Sequence, residues 1–400
     1  MARHASRARL RHGERRQEKI TLMRALFCCP NELKRELGGP KILIELIEEL
    51  QLLGWDCTLL GKAETLEKAA KFGLETTDYS QALKKVLQTS ASNYDVVEFE
   101  HLYLPYDRAE FPQKTLFVTR ASLLAHHYLK IQLPRFHTLK DWLDFRQRLF
   151  LGKRHFKALV QIAQITIQNA DLANVANTKD QEELIENGIP EIKTAVIPYG
   201  MSRSHRTLFK VDRTKPLPEK PIIAFIGTFD VRKGAADLPQ IMREIWKTKP
   251  EARFKLLGLA GQFQKEDEIR ARLPRKKSSQ VMIKMKYRAS ELPSLLEDCS
   301  LGIFPSYIES FGFGVLEMLA ASLPVVAYNS PGPPVMLPKE WLVEQGNKKA
   351  MAQKVIDFLN QQLPPLQQKA YQLSEPFSWE NIAKETAAVY QKHWELKQSA

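Results

Sequence analysis

The chain has little cysteine: four residues in 400, Cys28, Cys29, Cys57 and Cys299, with no C-x-x-C spacing and no histidine-rich setting around them. A thiolate zinc site and a disulfide framework are thereby excluded, and buried free thiols in a reducing compartment are expected. No apolar run approaches the ~20 residues of a membrane span. The N-terminus is basic, but no apolar stretch follows it, so it does not read as a secretory leader. Internal repeats and low-complexity tracts are missing. So is an Asp-x-Asp pair at the end of any strand-like run, which removes one means of gripping a divalent cation.

What is present describes an ordinary globular protein. Hydrophobic residues make up 44% and charged residues 26% of the chain, and the length is ample for two domains with separate cores. The net charge is +13. Part of it sits in Arg3, Arg7, Arg9, Arg11, Arg15, Arg16 and Lys19, an arm suited to nucleic acid, to anionic lipid or to neither. Almost no aromatic or apolar residues stand there for base stacking or membrane insertion, so nucleic acid is disfavoured. Residues 1–19 are expected to be a disordered, dispensable tail, with Met23 an alternative start.

The most informative stretch is Phe304 to Leu337. The apolar run Leu301-Gly302-Ile303-Phe304 reads as a buried strand, followed by a loop with Pro305, Ser306 and Glu309. Phe311-Gly312-Phe313-Gly314 then leads into a helix predicted over Val315–Leu323, closed by Pro324 before the strand Val325–Tyr328. Strand, glycine turn, helix and strand make the crossover unit of a parallel sheet. Glycines at a helix start let a ligand approach free backbone N–H groups, an anion site. Glu309 before the turn and Glu317 about one turn into the helix can both face that ligand, and carboxylates accept hydrogen bonds from sugar or ribose hydroxyls. Amides for phosphate and carboxylates for hydroxyls suit a nucleotide sugar.

Earlier in the chain, Ile20–Cys29 reads as a strand, Gly38-Gly39 as a loop, Lys41–Leu50 as a helix and Trp55–Leu60 as a second strand. This is a βαβ unit with its glycines where α/β folds bind ligands. His101 ends the strand Tyr94–Glu100, and His126 and His127 follow the strand Leu116–Arg120. Phe136 to Ala170 is helical in pattern, basic from Arg146 to Lys157, with Trp142, Phe145 and Phe150 on an apolar side. Such a helix suits either an anionic membrane surface or packing on its own domain. Past the polar linker Lys215–Pro221, the strand Ile222–Ile226 leads into Gly227-Thr228-Phe229-Asp230-Val231-Arg232-Lys233-Gly234, whose basic side chains can neutralise a diphosphate.

Pro305-Ser306, Glu309, Phe311-Gly312, Glu317 and the later Gly332 resemble the donor signature of glycosyltransferase family 4, retaining enzymes of the GT-B fold. Lys233-Gly234, the Pro198-Tyr199-Gly200 hinge and the terminal Phe377–Tyr390 segment are similar to that family too, so the likeness runs from about Ile20 to Trp394. Two departures stand out. Thr228 occupies the place of the family's arginine, and Pro333-Pro334-Val335 stand just past Gly332, where the family usually has an acidic residue.

The resemblance implies an α/β protein with two Rossmann-like domains, their parallel sheets facing a central cleft. The boundaries expected are 20–199 for the acceptor domain, 200–379 for the nucleotide-sugar domain and 380–400 for a helix crossing back. The implied donor lining is Gly38, Gly39, Gly227, Thr228, Arg232, Lys233, Glu309, Ser310, Phe311, Gly312, Phe313, Gly314 and Glu317. Glu309 and Lys233 are the implied catalytic groups, with His101 and His126 as candidates for a sugar-contacting histidine. No cofactor or metal is expected. The donor would be a UDP-, GDP- or ADP-sugar, the acceptor a glycan or lipid-linked hydroxyl, and the location cytoplasmic or peripheral at an anionic membrane. A catalytically silent homologue acting as a scaffold and a nucleotide-sugar epimerase are the rival readings.

Overall fold

In the computed structural model, which describes residues 22–34, 38–130, 134, 155–209 and 219–399, the chain builds two six-stranded parallel sheets. The first contains β1 (Arg24–Cys28), β2 (Asp56–Leu60), β3 (Val96–Glu100), β4 (Leu116–Ala121), β5 (Leu172–Val175) and β6 (Thr194–Val196), in the order 2-1-3-4-5-6. The second contains β7 (Ile222–Ile226), β8 (Arg253–Leu257), β9 (Val281–Lys284), β10 (Leu301–Phe304), β11 (Val325–Tyr328) and β12 (Leu342–Val343), in the order 12-11-10-7-8-9. A strand such as Ile222-Ile223-Ala224-Phe225-Ile226 is buried throughout, as a parallel strand covered on both faces must be. The two doubly wound sheets expected from the sequence are therefore present.

Strand order locates the ligand sites. In the first sheet the winding reverses between β1 and β3, and in the second between β7 and β10. Loops leaving neighbouring strands at such a point diverge to opposite faces and leave a crevice at the carboxyl edge.

Five helices frame these crevices and join the domains: α1 (Gly38–Leu52), α2 (155–169), α3 (Thr178–Glu186), α4 (Phe313–Ala320) and α5 (Trp379–Ser399). Ile42, Leu43, Leu46, Ile47 and Leu50 recur at helical spacing along α1 and are buried. Gly38 and Gly39 form its first turn rather than a loop ahead of it. Helix α4 likewise starts two residues earlier than its predicted Val315 and stops at Ala320 instead of Leu323. Gly312 in the left-handed region (φ 99°) allows the early start, and Ser322 at φ 55° turns the chain out before Pro324.

The chain passes between domains at Tyr199-Gly200-Met201 and returns beside itself at Phe377-Ser378-Trp379, where Met201 N–H donates to Phe377 C=O (2.9 Å) and Trp379 N–H to Met201 C=O (3.2 Å). Helix α5 then lies on the first domain. Trp379 Nε1 donates to Glu45 Oε2 on α1 at 2.7 Å. Tyr390 Oη donates to Glu98 and accepts from Asn174 Nδ2 at 2.9 Å. Arg120 completes this buried cluster with Nε and Nη2 on the two Glu98 oxygens at 2.7 and 3.0 Å. The basic tail, most of the basic helical run that begins at Phe136, and the greater part of the linker before Pro221 lie outside the described residues.

Candidate active site

The loops after β7 and β10 meet at the second sheet's switch point. The first is shaped by Asp230, whose Oδ1 accepts from the N–H groups of Arg232 (2.9 Å) and Lys233 (3.2 Å) while Oδ2 accepts from Thr228 Oγ1 (2.6 Å). Gly234 adopts φ 76°, and a Cβ there would fall 2.1 Å from Pro305 C=O, so the two loops touch through bare backbone. Tyr307 N–H bonds Arg232 C=O at 2.6 Å and ties them together. This places the Lys233 ammonium in an ion pair with the Glu309 carboxylate, and 5.6 Å from the Phe304 ring centre. Both partners are largely but not fully withdrawn from water, the side chains 25% and 15% exposed.

Directly beyond Glu309, α4 begins. Val315 N–H closes on Gly312 C=O at 2.9 Å, so the Phe313 and Gly314 N–H groups precede the first turn's internal bonds. The loop, the glycine and the helix N-terminus thus present positive dipole beside Lys233. Glu317, one turn further, is half-buried. Burial pushes its carboxyl up to about 7, opposed by the charge of Lys41. Lys41 stands near the start of α1, so the first domain contributes a cation facing α4. The Tyr287 ring lies against Gly258, where a Cβ would come 3.1 Å from Cε1. Its hydroxyl pKa is raised first by burial and then by Glu317.

Several residues expected to line the donor turn elsewhere. Ser310 is buried: its Oγ accepts from Leu124 N–H at 3.4 Å, and its C=O accepts from Asn177 Nδ2 at 2.7 Å. It links the domains instead of facing a ligand, because Leu124 and Asn177 of the first domain take up its side-chain and backbone oxygens. Phe311 packs into an aromatic group with Tyr199, Phe313 and Phe377 at 5.3–5.7 Å, and its backbone lies against Gly332. Arg232 points away from Lys233: Nη2 meets Asp230 at 3.3 Å, and Nη1 reaches Tyr128 Oη of the first domain at 3.3 Å. It does not stand in for the arginine that Thr228 displaces. His126 is buried, with Nε2 on Gln164 of α2 at 3.2 Å, and burial lowers its pKa.

The first sheet's switch point opens into a cavity of about 300 Å³. It is lined by the ends of β1, β3 and β4, by Gly39, Ile42 and Leu43 of α1, and by Tyr128, Phe156 and Leu159. His101 lines it too, but its Nδ1 bonds Glu100 and its Nε2 accepts from Ala125 N–H at 3.4 Å. Both ring nitrogens are engaged. Sequence reasoning missed Asp230, Lys41, Tyr128 and Arg120. Only Asp230 carried a local signal, as a capping residue ahead of Val231-Arg232-Lys233.

Residues 209–375 match the family model described as "Glycosyl transferases group 1". Among curated proteins, this chain is 23% identical over 262 residues to a subunit of the phosphatidylinositol N-acetylglucosaminyltransferase of Arabidopsis thaliana, covering 64% of this chain and 55% of that one. A GDP-Man:Man(3)GlcNAc(2)-PP-Dol alpha-1,2-mannosyltransferase of Xenopus tropicalis is 32% identical over 91 residues, 22% of this chain and 19% of its own length. The chain thus spans about half or less of these relatives. Structural likeness extends further. Sucrose-phosphate synthase from Thermosynechococcus elongatus superposes over 93% of this chain and all of its own, with TM-score 0.68 at 17% identity. HepE of Anabaena, solved with UDP, covers 92% of this chain and all of its own, with TM-score 0.66 at 15% identity. The fold is GT-B, as the glycosyltransferase resemblance implied.

Proposed function

We propose that the protein is a retaining, metal-independent glycosyltransferase of family 4 that moves a sugar from a nucleoside diphosphate sugar to a hydroxyl acceptor. The observation that carries this reading is the Lys233–Glu309 pair set beside the N-terminus of α4. The ammonium and the Phe313 and Gly314 amides would take the diphosphate, Glu317 the ribose hydroxyls and Glu309 the transferred sugar, with Gly38 and Gly39 closing the site from the first domain. UDP, GDP and ADP are the candidate nucleotides; the UDP complex of HepE and the GDP-mannose in a relative's name support the first two.

In a front-face transfer the acceptor oxygen attacks the anomeric carbon on the side from which the diphosphate departs. The bond from that carbon to the phosphate oxygen breaks, and the acceptor proton passes to the phosphate. No protein nucleophile is needed. Catalysis then comes from positioning the reactants and from charge stabilisation as the domains close. His101, with both ring nitrogens engaged, shapes the acceptor side instead of moving a proton. The acceptor is a glycan or lipid-linked hydroxyl, a reading supported by the phosphatidylinositol and PP-Dol in the relatives' names, and the location is cytoplasmic or at a membrane surface.

The test is a thermal-shift panel of UDP, GDP, ADP and their sugar conjugates. A ligand at 100 times its dissociation constant adds about 2.7 kcal/mol. Stabilisation by one nucleotide series, with release of that nucleotide on adding acceptor, is expected. A silent homologue is the second reading. It is favoured by Thr228, which leaves Lys233 as the basic side chain of its loop that faces Glu309. It predicts binding without transfer, and partner binding that Glu309→Ala leaves unchanged.

A further inference from the structure

The cavity at the first sheet's switch point has a composition that does not suit a polyol. Its walls are largely hydrocarbon and aromatic, with Ile42, Leu43, Phe99, Leu123, Phe156 and Leu159 among them. The Tyr128 and Phe156 rings stack there at 4.6 Å and 7°. The carboxylates in the wall are held within the fold, and Asn31, Tyr103 and Tyr128 add a smaller polar share to it. Glu98 is held by Arg120 and Tyr390, and Glu100 by His101 and the Ser122 N–H. Arg120 is buried (4% exposed), and its Nη1 is left with no partner among the described residues. A buried sugar ring would lose water from every hydroxyl and find few groups to replace it, at a cost for each. A hydrocarbon body loses nothing, and one acceptor oxygen on it could meet Arg120 Nη1.

The cavity is also placed to serve the transfer site. Tyr128 lines it and accepts from Arg232 Nη1, and Arg232 adjoins Lys233. An occupant therefore ends close to the donor loop.

We propose that this cavity binds the apolar body of the acceptor, a hydrocarbon moiety that presents its hydroxyl toward Lys233 and Glu309. The proposal rests on the glycosyltransferase reading for its orientation, but the binding it requires does not. The moiety's source is an alkyl or isoprenoid chain or an aromatic ring system, which share the chemistry that the wall recognises.

The probes are methyl, butyl, hexyl and octyl β-D-glucosides below their micelle concentrations, and phenyl and 2-naphthyl β-D-glucosides, titrated calorimetrically into the full chain. Affinity should rise by about fourfold per buried methylene and level off once the cavity is full. Leu159→Trp, at a half-buried wall position on α2, should abolish that gradient while leaving the UDP thermal shift unchanged. A steeper gain in the aryl series than in the alkyl series would assign an aromatic acceptor, and the reverse a lipid-type one. A flat series overturns the proposal. So does a gradient that persists in Leu159→Trp, which would be surface adsorption. Absence of any nucleotide shift would instead refute the transferase reading while leaving the cavity's apolar selectivity standing.

Discussion

Lys233 and Glu309 hold each other in an ion pair, and this predicts opposite consequences for removing the two partners. The pair is intermediate in exposure. It lies between surface pairs worth about 0–1 kcal/mol and buried ones whose disruption costs about 3–5 kcal/mol. Lys233→Ala should therefore destabilise the unliganded chain by about 1–2 kcal/mol. On the proposed assignment it would also remove a charge-assisted hydrogen bond to the diphosphate, about 1.5–3 kcal/mol, which is roughly a 10- to 150-fold weaker nucleoside diphosphate. Glu309→Gln acts the other way. It releases Lys233 from a competing carboxylate, so the bare nucleotide should bind as well as in wild type or up to roughly threefold tighter, while sugar transfer falls steeply. Calorimetric titration of UDP, GDP and ADP into the three proteins measures both effects. An affinity unchanged within twofold by Lys233→Ala refutes the assignment of Lys233 to the diphosphate. Equal weakening by both substitutions refutes the exchange of partners.

Three more outcomes are expected from the packing. The Glu317 carboxyl is raised to about 7 from an ordinary 4.5, so its contribution to stability is complete below about pH 4.5 and is lost as pH rises to 7. Discounted for partial exposure, Glu317→Gln should stabilise the chain by roughly 1 kcal/mol at pH 8 and not at pH 4 in urea titrations; equal effects at both pH values would refute the burial argument. Arg120→Leu leaves Glu98 buried without its cation and should cost about 3–5 kcal/mol by chemical denaturation, with Glu98→Gln in the same chain restoring much of it. If the double variant is no more stable than the single, the pair is not what holds that site. Gly234→Ala forces a Cβ to 2.1 Å from Pro305 C=O at φ 76° and should cost about 2–4 kcal/mol and weaken nucleotide binding; a melting temperature within a degree of wild type would show that the loops do not need their close approach.

Local pattern carried a good deal of this protein. Continuous apolar runs such as Ile222–Ile226 announced buried parallel strands, and α1 announced itself by apolar residues every three or four positions. The glycine turn at Gly312, the acids Glu309 and Glu317 and the base Lys233 were legible for the same reason: they stand at fixed short distances from a strand end or a helix start. Helix ends were less legible. The starts of α1 and α4 depend on which glycine takes the turn, and either glycine permits several choices.

Tertiary structure alone decided the partners. Lys233 and Glu309 are 76 residues apart and meet because β7 and β10 are neighbours in a sheet whose order no local pattern specifies. Ser310, read as donor lining, is withdrawn into the domain interface, and Arg232 is withdrawn to Tyr128. Lys41 approaches Glu317 because two domains share one cleft. The cavity's apolar character likewise emerges only after Glu98, Arg120, Tyr390, Glu100 and His101, polar in sequence, have neutralised one another in space. Sequence by itself determined which elements form and which chemical groups stand at their ends. Which of those groups remain available to a ligand was settled by long-range pairing, because a charge or donor satisfied within the fold no longer has a free bond to offer.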